Sequence, residues 1–203
     1  MTLEYMWSVL AFSFGMAATP GPNNTIIFSS GLNYGFFPSL SYMLGVTVGL
    51  PLMIVAVAWG LGEFFDAFPA IYEGVRYTGA VYILYLSWKI ATARPPEKDD
   101  TKEEFSDKRN HRLTFWDAVL LQWTNPKAWI LAVTGVATYI GADLPAAKLV
   151  FYCGAFAVMS FLSLAGWCLG GVFSGRLIHS PRLYRIMNGV MGLLLAASVI
   201  SLF

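Results

Sequence analysis

Six stretches of this chain, roughly 5–32, 38–62, 71–92, 115–140, 146–173 and 183–203, are apolar over about the 20 residues needed to cross a ~30 Å hydrocarbon layer. Lipid offers the backbone no hydrogen-bond partners, so such stretches must fold as helices that pair their own N–H and C=O groups. The expected fold is an all-α integral membrane protein with six transmembrane helices. Composition leaves little room for a soluble alternative. Charged residues make up 12% of the chain and hydrophobic ones 57%, with a mean hydropathy of +0.59. A soluble domain carries about 25% charged residues. The first stretch has small residues at Ala17 and Ala18, as a signal peptide would. Its early charge is Glu4 rather than a basic cluster, so it reads as a retained helix.

The placement of charge sets the orientation. Lys89, Arg94, Lys98, Lys102, Lys108, Arg109 and Arg112 gather around the third connection, and Arg176, Arg182 and Arg185 around the fifth. The opposite side of an alternating topology has Arg76 and Lys148. Basic connections stay in the cytoplasm, so both termini are expected outside. Trp88 and Trp116 then fall at the cytoplasmic interface, Trp59 and Tyr139 at the outer one. Residues 93–114 read as a charged cytoplasmic linker between two three-helix units, 1–92 and 115–203, within one membrane domain. The net charge of +1 gives no sign of a nucleic-acid partner, and none is expected.

The first stretch contradicts its own apolar character. Thr19-Pro20-Gly21-Pro22-Asn23-Asn24 places two prolines, a glycine and two amides inside it. Proline has no N–H to donate and disfavours helix in the residue before it. Thr124-Asn125-Pro126-Lys127 interrupts the fourth stretch in the same way. Aligning Pro22 with Pro126 also sets Asn23 on Lys127 and Gly31 on Gly135. Each break lies in the first helix of a three-helix unit, and an odd number of crossings turns the second unit upside down. The expectation is a pair of inverted three-helix repeats with broken first and fourth helices and a binding site between the breaks near the bilayer midplane.

A half-helix beginning after the first break offers N–H groups and partial positive charge, while the carbonyls before it offer partial negative charge. A zwitterion matches that pair. The candidate substrate-binding residues are Thr19, Pro20, Gly21, Pro22, Asn23, Asn24, Thr124, Asn125, Pro126 and Lys127. Local satisfaction of the breaks would use the same side chains. Lys127 is the sharpest of them, because a lysine at the centre of a membrane helix costs at least ~2.5–3.5 kcal/mol. It is too deep to snorkel easily to an interface. A substrate or gating role is expected, with a structural tie to the opposite break as the alternative. Asp117, near the cytoplasmic end of the same helix, and Gln122 are the other coupling or gating candidates.

Other residues carry less. Gly31/Gly35, Gly45/Gly49, Gly166/Gly170 and Gly171/Gly175 have the spacing that lets membrane helices approach closely. His111 and His179 are isolated, so no metal site is expected. No phosphate-binding loop or nucleophilic triad is present, so neither a cofactor nor catalysis is expected. Cys153 and Cys168 fall in one apolar run, about 22 Å apart along a helix, whereas a disulfide needs Cα atoms within roughly 7 Å. They read as buried free thiols.

The matching motifs run through the whole chain in order. They are Thr19-Pro20-Gly21-Pro22-Asn23-Asn24, then Gly31 and Gly35, Leu44-Gly45 with Gly49, Gly79-Ala80-Val81-Tyr82-Ile83-Leu84-Tyr85-Leu86, and Asn125-Pro126-Lys127-Ala128. They resemble the LysE/RhtB family of bacterial amino acid exporters. Within it, the first motif, Trp88-Lys89-Ile90-Ala91-Thr92, and Phe115-Trp116 followed by Leu121-Gln122 are most similar to the cysteine/O-acetylserine exporter branch. Asn125-Pro126-Lys127-Ala128 follows the family's general pattern. The resemblance implies secondary active export of a small neutral amino acid or derivative across the bacterial inner membrane. Proton exchange or the membrane potential would drive it. Lys127, the ionisable residue deep in a stretch, would then either pair with the substrate carboxylate or carry the exchanged proton. The small-residue faces permit a homodimer.

Two rivals make different demands. A six-helix membrane thiol/disulfide carrier needs a cysteine in each half, and a heavy-metal exporter of the same superfamily needs a cluster of Cys, His or carboxylates within the helices. The sequence supplies neither. The topology is directly testable. A thiol introduced by Glu104→Cys is expected to react with a membrane-impermeant maleimide in inside-out vesicles and to stay unlabelled in intact spheroplasts.

Overall fold

The computed structural model describes residues 1–93, 113–141, 143–178 and 180–202. Most of the charged linker, together with His111 and His179, lies outside them. Every element among the described residues is helical. Helices α1 (Leu3–Ala18) and α2 (Pro22–Tyr34) divide the first apolar stretch. Helix α3 (Phe36–Ala56) continues through a π-helical turn, Val57–Leu61, into α4 (Gly62–Ala67), and α5 spans Pro69–Ala91. Helices α6 (Phe115–Thr124) and α7 (Pro126–Gly135) divide the fourth stretch, with a π-helical turn at Val136–Ile140. Helix α8 (Ala146–Leu177) is continuous, and α9 (Pro181–Ala197) ends in a 3-10 turn, Ser198–Leu202.

Three of these helical segments, Phe36–Phe65, Ala146–Leu177 and Pro181–Ile200, are long and apolar enough to cross a membrane. The divided stretches yield pieces of 16, 13, 10 and 10 residues, each short of the ~20 that a crossing needs. Helix α5 has 23 residues but carries Glu73, Arg76 and Lys89. Large apolar side chains such as Leu52, Val81, Leu120, Val150, Leu162 and Leu193 cover the outside of the protein, a surface suited to lipid.

Proline chemistry produces both divisions. Thr19, before Pro20, and Gly21, before Pro22, are extended, at φ −61°, ψ 132° and φ −173°, ψ −178°. Asn125, before Pro126, is extended at φ −92°, ψ 110°. Pro22 and Pro126 then occupy the first turn of the next helix, where an N–H would have had no helical partner. Pro51 stays inside α3.

Helix α8 is the hub, packing against α1, α2 and α3, while α3 also packs on α6, and α9 on α5. Glycines make the closest approaches. A Cβ on Gly31 would collide with the carbonyl of Cys168, and one on Gly171 with the carbonyl of Phe28. One on Gly45 would collide with the carbonyl of Phe115. Gly35 differs, since it turns the chain from α2 into α3 at φ +87°, a conformation that suits glycine. Gly166 has nothing within 4 Å of where a Cβ would stand, so it makes no close helix contact within the chain. Cys153 and Cys168 are free thiols on the one helix α8.

Two apolar clusters form the interior. One gathers Ile26, Ile27, Tyr42, Met43, Val46, Ile83, Leu121 and Leu164. The other gathers Val9, Leu50, Met53, Ile54, Leu131, Tyr152 and Phe156. Both helix divisions lie at their seam. Gly31→Ala and Gly171→Ala should each destabilise the protein by about 1–3 kcal/mol, because the colliding atoms are backbone and cannot rotate away. Gly166→Ala should leave stability unchanged or raise it slightly. Thermal midpoints in detergent measure the difference.

Candidate functional site

A helix end leaves carbonyls without intrahelical partners, and within an apolar protein they must be answered by other groups. At the end of α1 each answer is a specific side chain. Asn24 donates its amide Nδ2 to the Ala17 and Thr19 carbonyls, both at 2.9 Å. Ser163 of α8 donates to Ala17 at 2.8 Å, and Trp167 of α8 donates to Ala18 at 3.4 Å. Lys127, from the first turn of α7, donates Nζ–H to the Thr19 carbonyl at 2.6 Å. The lysine stem lies across the first break. A Cβ on Gly21 would stand 3.2 Å from Lys127 Cδ, so glycine leaves the room that this crossing needs. The ammonium also meets the negative end of the α1 dipole.

The second break is closed locally. Asn125 caps α7 by accepting from the Lys127 backbone N–H at 3.1 Å. Between the breaks is a small cavity of about 50 Å³, partly open to the outside. Gly21, Pro22, Asn23, Asn24, Gln122, Asn125, Lys127 and Ser160 line it alongside Met16, Val46, Leu50, Leu131 and Leu164. Asn23 and Gln122 face each other there. Asn23 Nδ2 donates to Gln122 Oε1 at 3.2 Å, and Asn23 Oδ1 accepts from the Tyr42 hydroxyl at 2.9 Å. Gln122 is anchored through its own amide to the Ala118 carbonyl at 2.8 Å. The N-terminus of α2 has no side-chain cap, and its first residues line the same cavity.

The structure therefore brings Gly21, Pro22, Asn23, Asn24, Asn125, Lys127 and Gln122 together, and places the remaining candidates elsewhere. Thr19 does not line the cavity through its side chain, which turns back to the Gly15 carbonyl at 2.6 Å and leaves only its carbonyl to meet Lys127. Pro20 is exposed outside the cavity lining, and Pro126 is likewise outside it. Thr124 packs against α5, where a Cβ on Gly79 would collide with its side chain. Asp117 forms a capping box with Thr114 at the start of α6 and accepts from the Tyr82 hydroxyl at 2.7 Å. It too is away from the cavity lining.

Sequence reasoning missed several polar residues. Tyr42, Ser160, Ser163 and Trp167 sit in unbroken helices, and no local irregularity marks them. A second buried polar group, in which Asn33 and Asn188 exchange amide hydrogen bonds at 2.8 Å, also escaped notice because its partners are distant in sequence. Among the described residues no group of His, Cys, Asp or Glu could hold a metal.

Helix breaks that meet over a polar cavity inside an apolar helical protein are the architecture of a membrane transporter. The chain belongs to the LysE type translocator family, whose model matches residues 14–202. It is 29% identical over 206 residues to the cysteine/O-acetylserine efflux proteins of Escherichia coli strain K12 and of Shigella sonnei strain Ss046. The alignment covers the whole of this chain and of each relative. That name matches the branch whose motifs the sequence resembles. No solved structure matches the chain.

Asn24 should prove structural as well as cavity-lining. Asn24→Ala removes a donor shared by two carbonyls and should destabilise the protein by about 1–3 kcal/mol. Asn24→Asp should be at least as damaging, since it sets an acceptor against acceptors. Thermal midpoints of the two variants in detergent test this.

Proposed function

We propose that this protein is a secondary active exporter of small neutral amino acids or their derivatives. Cysteine and O-acetylserine, named by its relatives, are the first cargo to test. One observation supports this most strongly. The uncapped N-terminus of α2 and the Lys127 ammonium share a cavity with the carbonyl-bearing end of α1. A carboxylate is drawn to the first two, which are donors carrying positive charge. A substrate ammonium is drawn to the α1 carbonyls and to Asn24 Oδ1, which stays available because Nδ2 makes the two carbonyl bonds. Held this way, a zwitterion replaces part of the hydrogen bonding that Lys127 makes across the breaks.

On this reading α1 with α2, and α6 with α7, each cross the bilayer as one broken span. With α3–α4, α5, α8 and α9 they make six crossings in two inverted three-helix repeats. The topology keeps both termini outside the inner membrane and the charged linker in the cytoplasm. Lys127 belongs to the second repeat and Thr19 to the first, so their hydrogen bond is a link that alternating access has to break and remake. Protons or the membrane potential drive the cycle.

Counterflow of labelled amino acids in proteoliposomes tests the proposal. Cysteine, O-acetylserine, serine, threonine and homoserine should exchange, with leucine, lysine and arginine as contrasts. Lys127→Ala should slow exchange by at least about tenfold, the loss expected for a hydrogen bond to a charged group. Lys127→Arg should keep part of the rate. Native rates in both variants would remove Lys127 from the mechanism. Failure of folded wild-type protein to exchange any of these amino acids would overturn the substrate class.

A further inference from the structure

Ser160 stands apart from every other buried polar residue among those described. It is 6% exposed and lines the cavity between the breaks, yet its hydroxyl has no hydrogen-bond partner among the described residues. Buried hydroxyls in apolar helices ordinarily turn back to the carbonyl one turn earlier. Here Ser13 bonds Val9, Ser39 bonds Gly35 and Ser87 bonds Ile83, each at 2.7 Å. On α8 itself, Ser174 bonds Gly170 at 2.8 Å. Ser160 makes no such bond to Phe156. Its neighbour one turn on, Ser163, is already held by Ala17. With no partner among the described residues and its oxygen open to the cavity, the hydroxyl is free to bond whatever enters that space.

The rest of the cavity narrows the choice of ligand atom. The two charged ends of a zwitterion are matched by oppositely polarised helix ends and by Lys127, and charge-assisted bonds outcompete a neutral hydroxyl. Ser160 is not part of either break. It shares a helix face with Leu164, and the cavity around it includes Leu50, Val46 and Leu131. A hydroxyl that shares the cavity with aliphatic groups and belongs to neither charged anchor is placed to meet the third part of an amino acid, its side chain.

We propose that Ser160 is a specificity-determining residue whose hydroxyl hydrogen-bonds a short oxygen- or sulfur-bearing side chain. Serine-, cysteine- and O-acylserine-like substrates are thereby favoured over aliphatic amino acids of the same size. This rests on the amino acid export reading above. A site built to hydrogen-bond a substrate group discriminates against the analogue lacking it, because its own polar atom is then left unpaired.

The test compares serine and O-acetylserine with 2-aminobutyrate, an aliphatic amino acid the size of serine, in counterflow by wild type and Ser160→Ala. The ratio of kcat/KM for the polar substrates to that for 2-aminobutyrate should fall about two- to tenfold in the variant, the range of one neutral hydrogen bond. Exchange of 2-aminobutyrate should hold or improve. The ligand-induced shift in melting temperature, measured for the same amino acids, reads the same ratio should turnover itself be lost. Equal loss for all three amino acids, or no change in the ratio, overturns the Ser160 assignment alone. Wild-type protein that exchanges none of them overturns the export reading and this assignment with it.

Discussion

Backbone satisfaction at the end of α1 is the constraint on which the rest depends. Two prolines stop the helix inside an apolar protein, and the freed carbonyls of Ala17, Ala18 and Thr19 must find donors. The donors come from three places: α2 through Asn24, α7 through Lys127, and α8 through Ser163 and Trp167. Their positions oblige α8 to run beside the break and α7 to start next to it. The glycine contacts of α2 with α8 make that proximity possible. The cavity is the space left where these requirements meet, at the seam of two apolar clusters.

Lys127 gains from the same arrangement. A buried ammonium is costly in lipid. Here it faces a carbonyl oxygen and the negative end of a helix dipole, with no carboxylate partner among the described residues. A lysine held by neutral dipoles keeps its charge for an anion. A lysine locked in a salt bridge would not.

Much of this was legible in the residues, because the breaks are local events. Proline and glycine act through their own backbone, so Thr19 to Asn24 and Thr124 to Lys127 marked both divisions correctly. The depth of Lys127 in an apolar stretch marked it as unusual without any knowledge of its partner. The direction of each side chain was not legible. Thr19 and Thr124 lie at the breaks as expected, but one hydroxyl bonds its own helix and the other residue packs on α5. Asp117 was read as a coupling candidate from its position, and its capping box with Thr114 shows a local duty that the Thr-x-x-Asp spacing could have signalled. Ser160 and Ser163 look alike in sequence, two small polar residues in one long helix. Only the placement of α1 against α8 separates them, and that placement is tertiary.

The order in which the chain is made gives the carbonyls of α1 a further significance. Asn24 emerges from the ribosome just after them, but Lys127, Ser163 and Trp167 follow more than a hundred residues later. Until then Asn24 is the donor at hand for the Ala17 and Thr19 carbonyls, and the Ala18 carbonyl waits for Trp167. The membrane domain thus closes from its far end backward. Helix α8, made late in the chain, completes the first helix to be made, and a chain cut short before α8 lacks the Ser163 and Trp167 donors to the Ala17 and Ala18 carbonyls.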